Sequence, residues 1–200
     1  MLKIIDNHKH DNGYKVKYLE IGCEYNQIFN TIPLDIDMKI GVDPFLGGTH
    51  RKTSDNFFKD KDINFDLIFI DGLHTYDQCQ KDIINSLKFL KPNGIILLHD
   101  ILPQNSYEEK PHRSGDICKI AVELANSKNI NFKIANIDNG VGIVKPMQDF
   151  KYSIVENLNN KNYQKFVTEY YKSLPVINCN EALKFIESDN FKKNKRNLIY

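Results

Sequence analysis

Two uninterrupted apolar runs constrain this chain more than any other feature: LIFI within 63–72 and IILL within 94–100. A strand that is apolar at every position is buried on both faces, and such strands belong to parallel sheets covered by helices on both sides. Around these runs, strand-like and helix-like segments alternate. KVKYLEIG (15–22) reads as a strand ending at Gly22, and MKIGVDP (38–44) as a second, stopped by Pro44. INFDLIFIDG (63–72) and GIILLHD (94–100) carry the two apolar runs. Between them, Ile83, Ile84, Leu87 and Leu90 recur at helical spacing from Tyr76 to Leu90, a helix expected to stop at KPNG (91–94). Another helix is expected over 117–125, with Asp116 as its N-cap. NFKIANI (131–137) and VGIVKP (141–146) flank Asp138-Asn139-Gly140, a hairpin signal. The pattern predicts an α/β domain whose sheet is mostly parallel, with one antiparallel strand near its edge and helices on both faces.

The ends of the chain differ from this middle. The first dozen residues are polar, and Asn12-Gly13 reads as a turn into the first strand. After residue 146 the pattern changes to a helical appendage over 147–200. It has a polar stretch from Asn157 to Asn162 and aromatic-rich helical segments around Phe166, Tyr170, Tyr171 and Phe185. The aromatic stripe over 163–171 reads as packing or as a contact in a homo-oligomer. Lys and Arg number 27 against 26 Asp and Glu, so the net charge is +1. That balance attracts neither a phosphate backbone nor an anionic bilayer, and the expected partners include no nucleic acid and no membrane. The basic run at 192–197 reads as a solvated terminus. The four cysteines include no C-x-x-C pair, which argues against structural zinc and for a reduced compartment: cytoplasm, or host cytoplasm for a viral source.

In such a sheet, ligands sit beyond the carboxyl ends of the strands at the switch in strand order. The strands expected here end in Glu20-Ile21-Gly22, Asp43, Asp71 and His99-Asp100. Four carboxylates on one rim repel each other unless a cationic ligand, ribose hydroxyls or a metal compensates. Asp43 follows Glu20 by 23 positions, close to the spacing at which an acid accepts from a ribose diol. A pyrophosphate-binding turn needs G-x-G-x-x-G, but Gly22 is followed by Cys23, Glu24, Tyr25 and Asn26. That disfavours a dinucleotide and suits a cationic cofactor without phosphate, such as S-adenosylmethionine.

YLEIGC, IGVDP, GGTHRKTSD-x-FF, FDLIFIDGLHTYDQ and LKPNGIILLHD, in that order, resemble a class I S-adenosylmethionine-dependent methyltransferase over roughly residues 15–146. More narrowly, they resemble a branch that includes O-methyltransferases of sugars and other small hydroxylated molecules. The resemblance implies a Rossmann-like, seven-stranded methyltransferase sheet closed by a terminal hairpin, so that 1–146 forms the catalytic domain. It implies that Glu20 approaches the methionine amino group and that Gly22 lets the nucleoside come close. It further places Asp43 at the ribose, Ser54 and Asp55 at the adenine, and Asp71 beside the transferred methyl. Glu24 and Asn26 depart from the small residues usual in the first turn.

Methyl transfer from a sulfonium to an alcohol needs an aligned nucleophile and a base for its proton. His74, three residues after Asp71, matches a D-G-x-H position that related sugar O-methyltransferases use as that base. Asp71 and Asp100 are expected to orient the acceptor, directly or through a shared Mg²⁺ or other divalent cation. Ile101 stands where a third metal ligand is usual, and His99 is expected to face the other side of its strand. Gly47 to Arg51 reads as an ordering loop, and His112 to Asp116 as an acceptor-side loop. The expected activity is methyl transfer to a hydroxyl of a small polar acceptor, most plausibly a sugar or glycan unit. A non-catalytic cofactor-binding module and a nucleotide-dependent oxidoreductase are the rival readings.

Overall fold

In the computed structural model, residues 1, 3–5, 15–59, 62–110, 112–158, 160 and 162–188 are described. The Asn12-Gly13 turn and the basic run 192–197 lie outside them. Eight strands form one sheet: β1 (Tyr18–Ile21), β2 (Lys39–Asp43), β3 (His50–Arg51), β4 (Phe65–Ile70), β5 (Leu90–Leu98), β6 (Lys128–Ala135), β7 (Val141–Lys151) and β8 (Val176–Ile177). Their spatial order is β3-β2-β1-β4-β5-β7-β6-β8. Only the pairings of β7 with β5 and with β6 are antiparallel. The sheet has one strand more than the expected seven. The extra one, β8, comes from the C-terminal segment and adds in parallel to β6, pairing Ile134 with Val176.

The apolar runs are buried as their composition requires, and their alternation sorts side chains between two cores. Leu19, Ile21, Ile68, Ile70, Ile96 and Leu98 face one layer, built from α2 (Ser54–Lys59), α3 (Tyr76–Lys88), α4 (Cys118–Ala125) and α5 (Tyr163–Glu169). Tyr18, Leu67, Phe69, Ile95 and Leu97 face the other, covered by α1 (Gln27–Thr31) and α6 (Cys179–Glu187) through Phe29, Ile32, Ala182 and Ile186. At about 25 cal/mol per Å² of apolar area removed from water, these two layers are the main source of stability.

Three local expectations are corrected. KPNG does not terminate a helix: α3 ends at Lys88, and 91–94 lies inside β5. The register with β4 jumps from Phe65↔Leu90 to Leu67↔Ile95, so Pro92 and Gly94 sit where the strand bulges and needs no regular ladder. Asp116 does not cap α4. The N-cap is Ile117, with no side-chain bond, and Asp116 turns instead to the start of α3. Finally, β7 runs on to Lys151, through the point where the sequence changes character, so the C-terminal segment leaves from within the sheet.

That segment is anchored by polar groups as well as apolar ones. Glu123, fully buried on α4, accepts from Tyr76 Oη (2.6 Å), Gln80 Nε2 (2.9 Å), Tyr152 Oη (2.5 Å) and Val155 N (3.0 Å). The buried Lys145 ammonium donates to Phe185 O at the end of α6 (2.8 Å) and to Ser188 Oγ (3.3 Å). All four cysteines are free thiols, and among the described residues no helix is long and apolar enough to cross a membrane. Glu123→Ala leaves several buried donors without an acceptor, so it should cost about 3 kcal/mol. A thermal melt should then show a fall of about 10 °C.

Candidate active site

The order of strands reverses between β1 and β4, where the chain proceeds outward in both directions. There the two strand ends are pinned together. Gly22 N–H donates to Val42 O (2.9 Å) and Asp71 N–H to Ile21 O (2.8 Å). A Cβ on Gly22 would lie 2.0 Å from Asp71 O, and its φ of +84° is one that side chains disfavour. Only glycine allows this approach. Beyond it opens a cavity of about 710 Å³, lined among others by Glu20, Gly22, Asp43, Ser54, Asp55, Asp71, His74, His99 and Asp100, a size usual for a site that takes a small molecule.

All the expected site residues line this cavity. Glu20 forms part of its floor, buried, and accepts from Tyr18 Oη at 2.6 Å. Burial pushes its carboxyl up, and the charge of Asp71 adds to this; the Tyr18 bond pulls the other way, leaving it at about 7. A carboxyl so placed gains most from a cationic partner.

Asp43 has a second task. One carboxylate oxygen accepts from Cys23 N (3.1 Å) and Glu24 N (3.0 Å), the other from Phe45 N and Leu46 N (both 2.8 Å). Burial opposes its charge, but the four backbone donors outweigh that and hold the carboxyl below its ordinary range. This explains how a turn without the usual glycines keeps its shape. Glu24 and Asn26 both take positive φ (43° and 61°), and Asn26 Oδ1 accepts from Gly48 N at 2.6 Å, tying the turn to the Gly47-Gly48 loop. At the far end, Ser54 Oγ donates to Asp82 Oδ1 (2.6 Å), while Gln78 Nε2 reaches Ser54 Oγ (3.2 Å), Asp82 (3.1 Å) and Asp55 (3.4 Å). Burial pushes the Asp82 carboxyl up to about 6, against those bonds.

The acid and histidine cluster is tighter than the sequence implies. Asp71 Oδ1 lies 3.3 Å from His74 Nε2 and 3.1 Å from His99 Nδ1. Burial would raise the Asp71 carboxyl, but the two imidazoles hold it down to about 2. His74 Nδ1 faces Arg113 O and, at 3.7 Å, Asp100 Oδ2. Burial disfavours its charge, yet these acceptors and Asp71 raise its pKa above the ordinary value. Both ring nitrogens thus face oxygens that only accept, an arrangement that favours the charged form of the imidazole.

His99 is the main correction. It faces the cavity, bridging Asp71 and Asp138 Oδ2 (3.0 Å), and its pKa rises to about 9 because these carboxylates and Asp100 overcome its burial. Strand alternation fails there because β5 ends at Leu98 and Asp100 takes φ 60°. Asp138, Asp82 and Gln78 were also missed. Asp138 sits in the hairpin turn, and only the return of that hairpin past the strand ends points to it.

A divalent ion does not fit this arrangement. Among the described residues no group of three His, Cys, Asp or Glu side chains could hold one. Asp71 Oδ1 is already shared by two imidazoles, and Ile101, after Asp100, is buried in the core.

Residues 19–101 match the family described as "Methyltransferase domain". That stretch, which holds the strand switch and the acids along it, is thus similar to a methyltransferase domain. Two solved structures show the same fold. One is the Podospora anserina methyltransferase PaMTH1 bound to S-adenosylhomocysteine (17% identity, 74% of this chain and 77% of that one, TM-score 0.50). The other is a Corynebacterium glutamicum protein (10% identity, 72% and 79%, TM-score 0.50). No curated protein matches the sequence significantly.

The Asp71–His99 pair also sets a pH signature. His99 has a raised pKa, so its contribution to stability is complete below about 6.5, its unfolded value, and is lost as pH rises through 9. The stability advantage of the native protein over His99→Gln, measured by denaturant unfolding, should therefore be largest near pH 6 and fade by pH 9 to 10.

Proposed function

We propose that this methyltransferase moves the methyl group of S-adenosylmethionine to a hydroxyl of a small polar acceptor, with a sugar or glycan unit the best fit. The observation that carries the reading is the pair of carboxyls at the strand switch. Glu20 and Asp71 face one cavity, no cationic side chain among the described residues pairs with Glu20 there, and its carboxyl is raised by burial and by Asp71. A ligand with an ammonium and a sulfonium meets that need, and the P. anserina relative binds the demethylated form of such a ligand.

S-adenosylmethionine supplies an electrophilic methyl, so the protein's work is to bind, orient and accept a proton. Glu20 is assigned to the ammonium of the methionine part. Asp43 holds the turn beneath the nucleoside, and any lone pairs its backbone bonds leave serve the ribose. Ser54 and Asp55, braced by Gln78 and Asp82, are assigned to the adenine end. On the acceptor side, Asp71 and Asp100 orient the hydroxyl, and His74 is the base. Its raised pKa comes from Asp71, Asp100 and the Arg113 carbonyl. A cation bound beside Asp71 competes for that negative charge, which lowers the His74 pKa and frees Nε2 to take the hydroxyl proton.

Two measurements test the reading. Glu20 must ionise to pair with an ammonium, so S-adenosylhomocysteine should bind more tightly as pH rises from 6 to 8, through the Glu20 value of about 7. In Glu20→Gln, titration calorimetry should show weaker and pH-flat binding; an unchanged pH slope removes Glu20 from the role. His74→Ala should lower kcat by about 10²-fold or more, as loss of a general base does, with S-adenosylhomocysteine affinity within about twofold of the native value. If both parameters stay native, His74 is not the base.

A further inference from the structure

The loop between β5 and α4 approaches the site from the acceptor side, and three of its residues grip the 74–76 segment. The Arg113 carbonyl accepts from His74 Nδ1. Gly115, at φ +57°, presses so closely that a Cβ there would lie 1.7 Å from His74 O. Asp116 Oδ1 accepts from Tyr76 N–H at 2.6 Å. Tyr76 opens α3, whose own N-cap, Thr75, makes no side-chain cap bond, so Asp116 caps that helix from 40 residues away.

The loop is itself held from two sides. Asp116 Oδ2 accepts from Lys119 Nζ at 2.8 Å, and Lys119 is buried on α4. The Arg113 guanidinium lies 4.4 Å from the Tyr107 ring centre and 3.4 Å from Glu108 Oε1, bracing the turn that presents its carbonyl. One face of the loop thus fastens to α4 and the other to the short turn at Ser106–Glu109.

From this geometry we infer that Asp116 is a positioning residue for His74: by capping α3 it seats the 113–116 turn so that the Arg113 carbonyl fixes the imidazole with Nε2 toward Asp71. The inference rests on the assignment of His74 as the base. Asp116 touches no reacting atom. Its effect passes through the His74 ring, whose Nδ1–H is committed to the loop and whose Nε2 is therefore committed to the cavity. An ångström-scale drift of a catalytic group costs on the order of 10²-fold in rate, so the loop acts on turnover rather than on cofactor binding.

The test is Asp116→Ala in the full chain, read three ways. Turnover should fall by about 10²-fold, with KM for S-adenosylmethionine and affinity for S-adenosylhomocysteine within about twofold of native. The imidazole resonance of His74 Nδ1–H, assigned with His74→Gln, should be lost or strongly shifted in the ¹⁵N–¹H spectrum. Asp116→Asn keeps an acceptor for Tyr76 N–H and should restore the resonance and most of the turnover. An unchanged His74 resonance in Asp116→Ala overturns the proposal, as does Asp116→Asn behaving like the alanine variant, or a loss of cofactor affinity in step with turnover. If Asp116→Ala does not fold, Asp116→Ser, one atom short of the Tyr76 amide, takes its place under the same criteria. An altered resonance together with native turnover in His74→Ala upholds the clamp and overturns the assignment of the base, so the two failures are told apart.

Discussion

The close contact of Gly22 with the backbone of Asp71 is the constraint on which the site depends. It brings the ends of β1 and β4 together at the strand switch, with no side chain between them. Glu20 and Asp71 then face one cavity, and two carboxyls in a partly buried space make a cationic ligand the natural occupant. Any side chain at position 22 would drive the strand ends apart and dissolve that electrostatic demand.

Around this contact the protein balances charge with histidines. Asp71, Asp100 and Asp138 surround His74 and His99, and each imidazole bridges two acceptors. The low Asp71 pKa and the raised His99 pKa are two views of one interaction and cannot be added as separate contributions. The nucleoside side uses a different device. Four backbone N–H groups on Asp43 shape a turn that in other chains relies on glycine, and Asn26 ties it to Gly48. A carboxylate thus supplies the order that glycine's freedom supplies elsewhere, with Glu24 and Asn26 bearing the strained φ values.

Much of this was legible beforehand. LIFI and IILL dictate strands buried on both faces, and the acids at 20, 43, 71 and 100 mark the strand ends that meet at the cavity. The illegible parts all depend on contacts between segments far apart in the chain. Asp116 reads locally as a cap for the helix that follows it, because a carboxylate before a helix usually serves that helix; here α3 competes for it and wins. His99 reads as facing away because alternation is the only guide inside a strand, and the strand stops one residue earlier. KPNG reads as a terminator because a bulge and a turn use the same residues.

Composition and periodicity by themselves determined the α/β class, the two-sided burial of the central strands and the row of acids along one sheet edge. These follow from short-range rules: alternation along a strand, spacing along a helix, and the cost of burying polar groups. Tertiary structure alone decided that β8 extends the sheet from the C-terminal segment, that His99 and Asp138 join Asp71, and that the 113–116 turn holds His74. The physical reason is that a hydrogen bond between residues 40 positions apart depends on where two strands end in space, which no local pattern records.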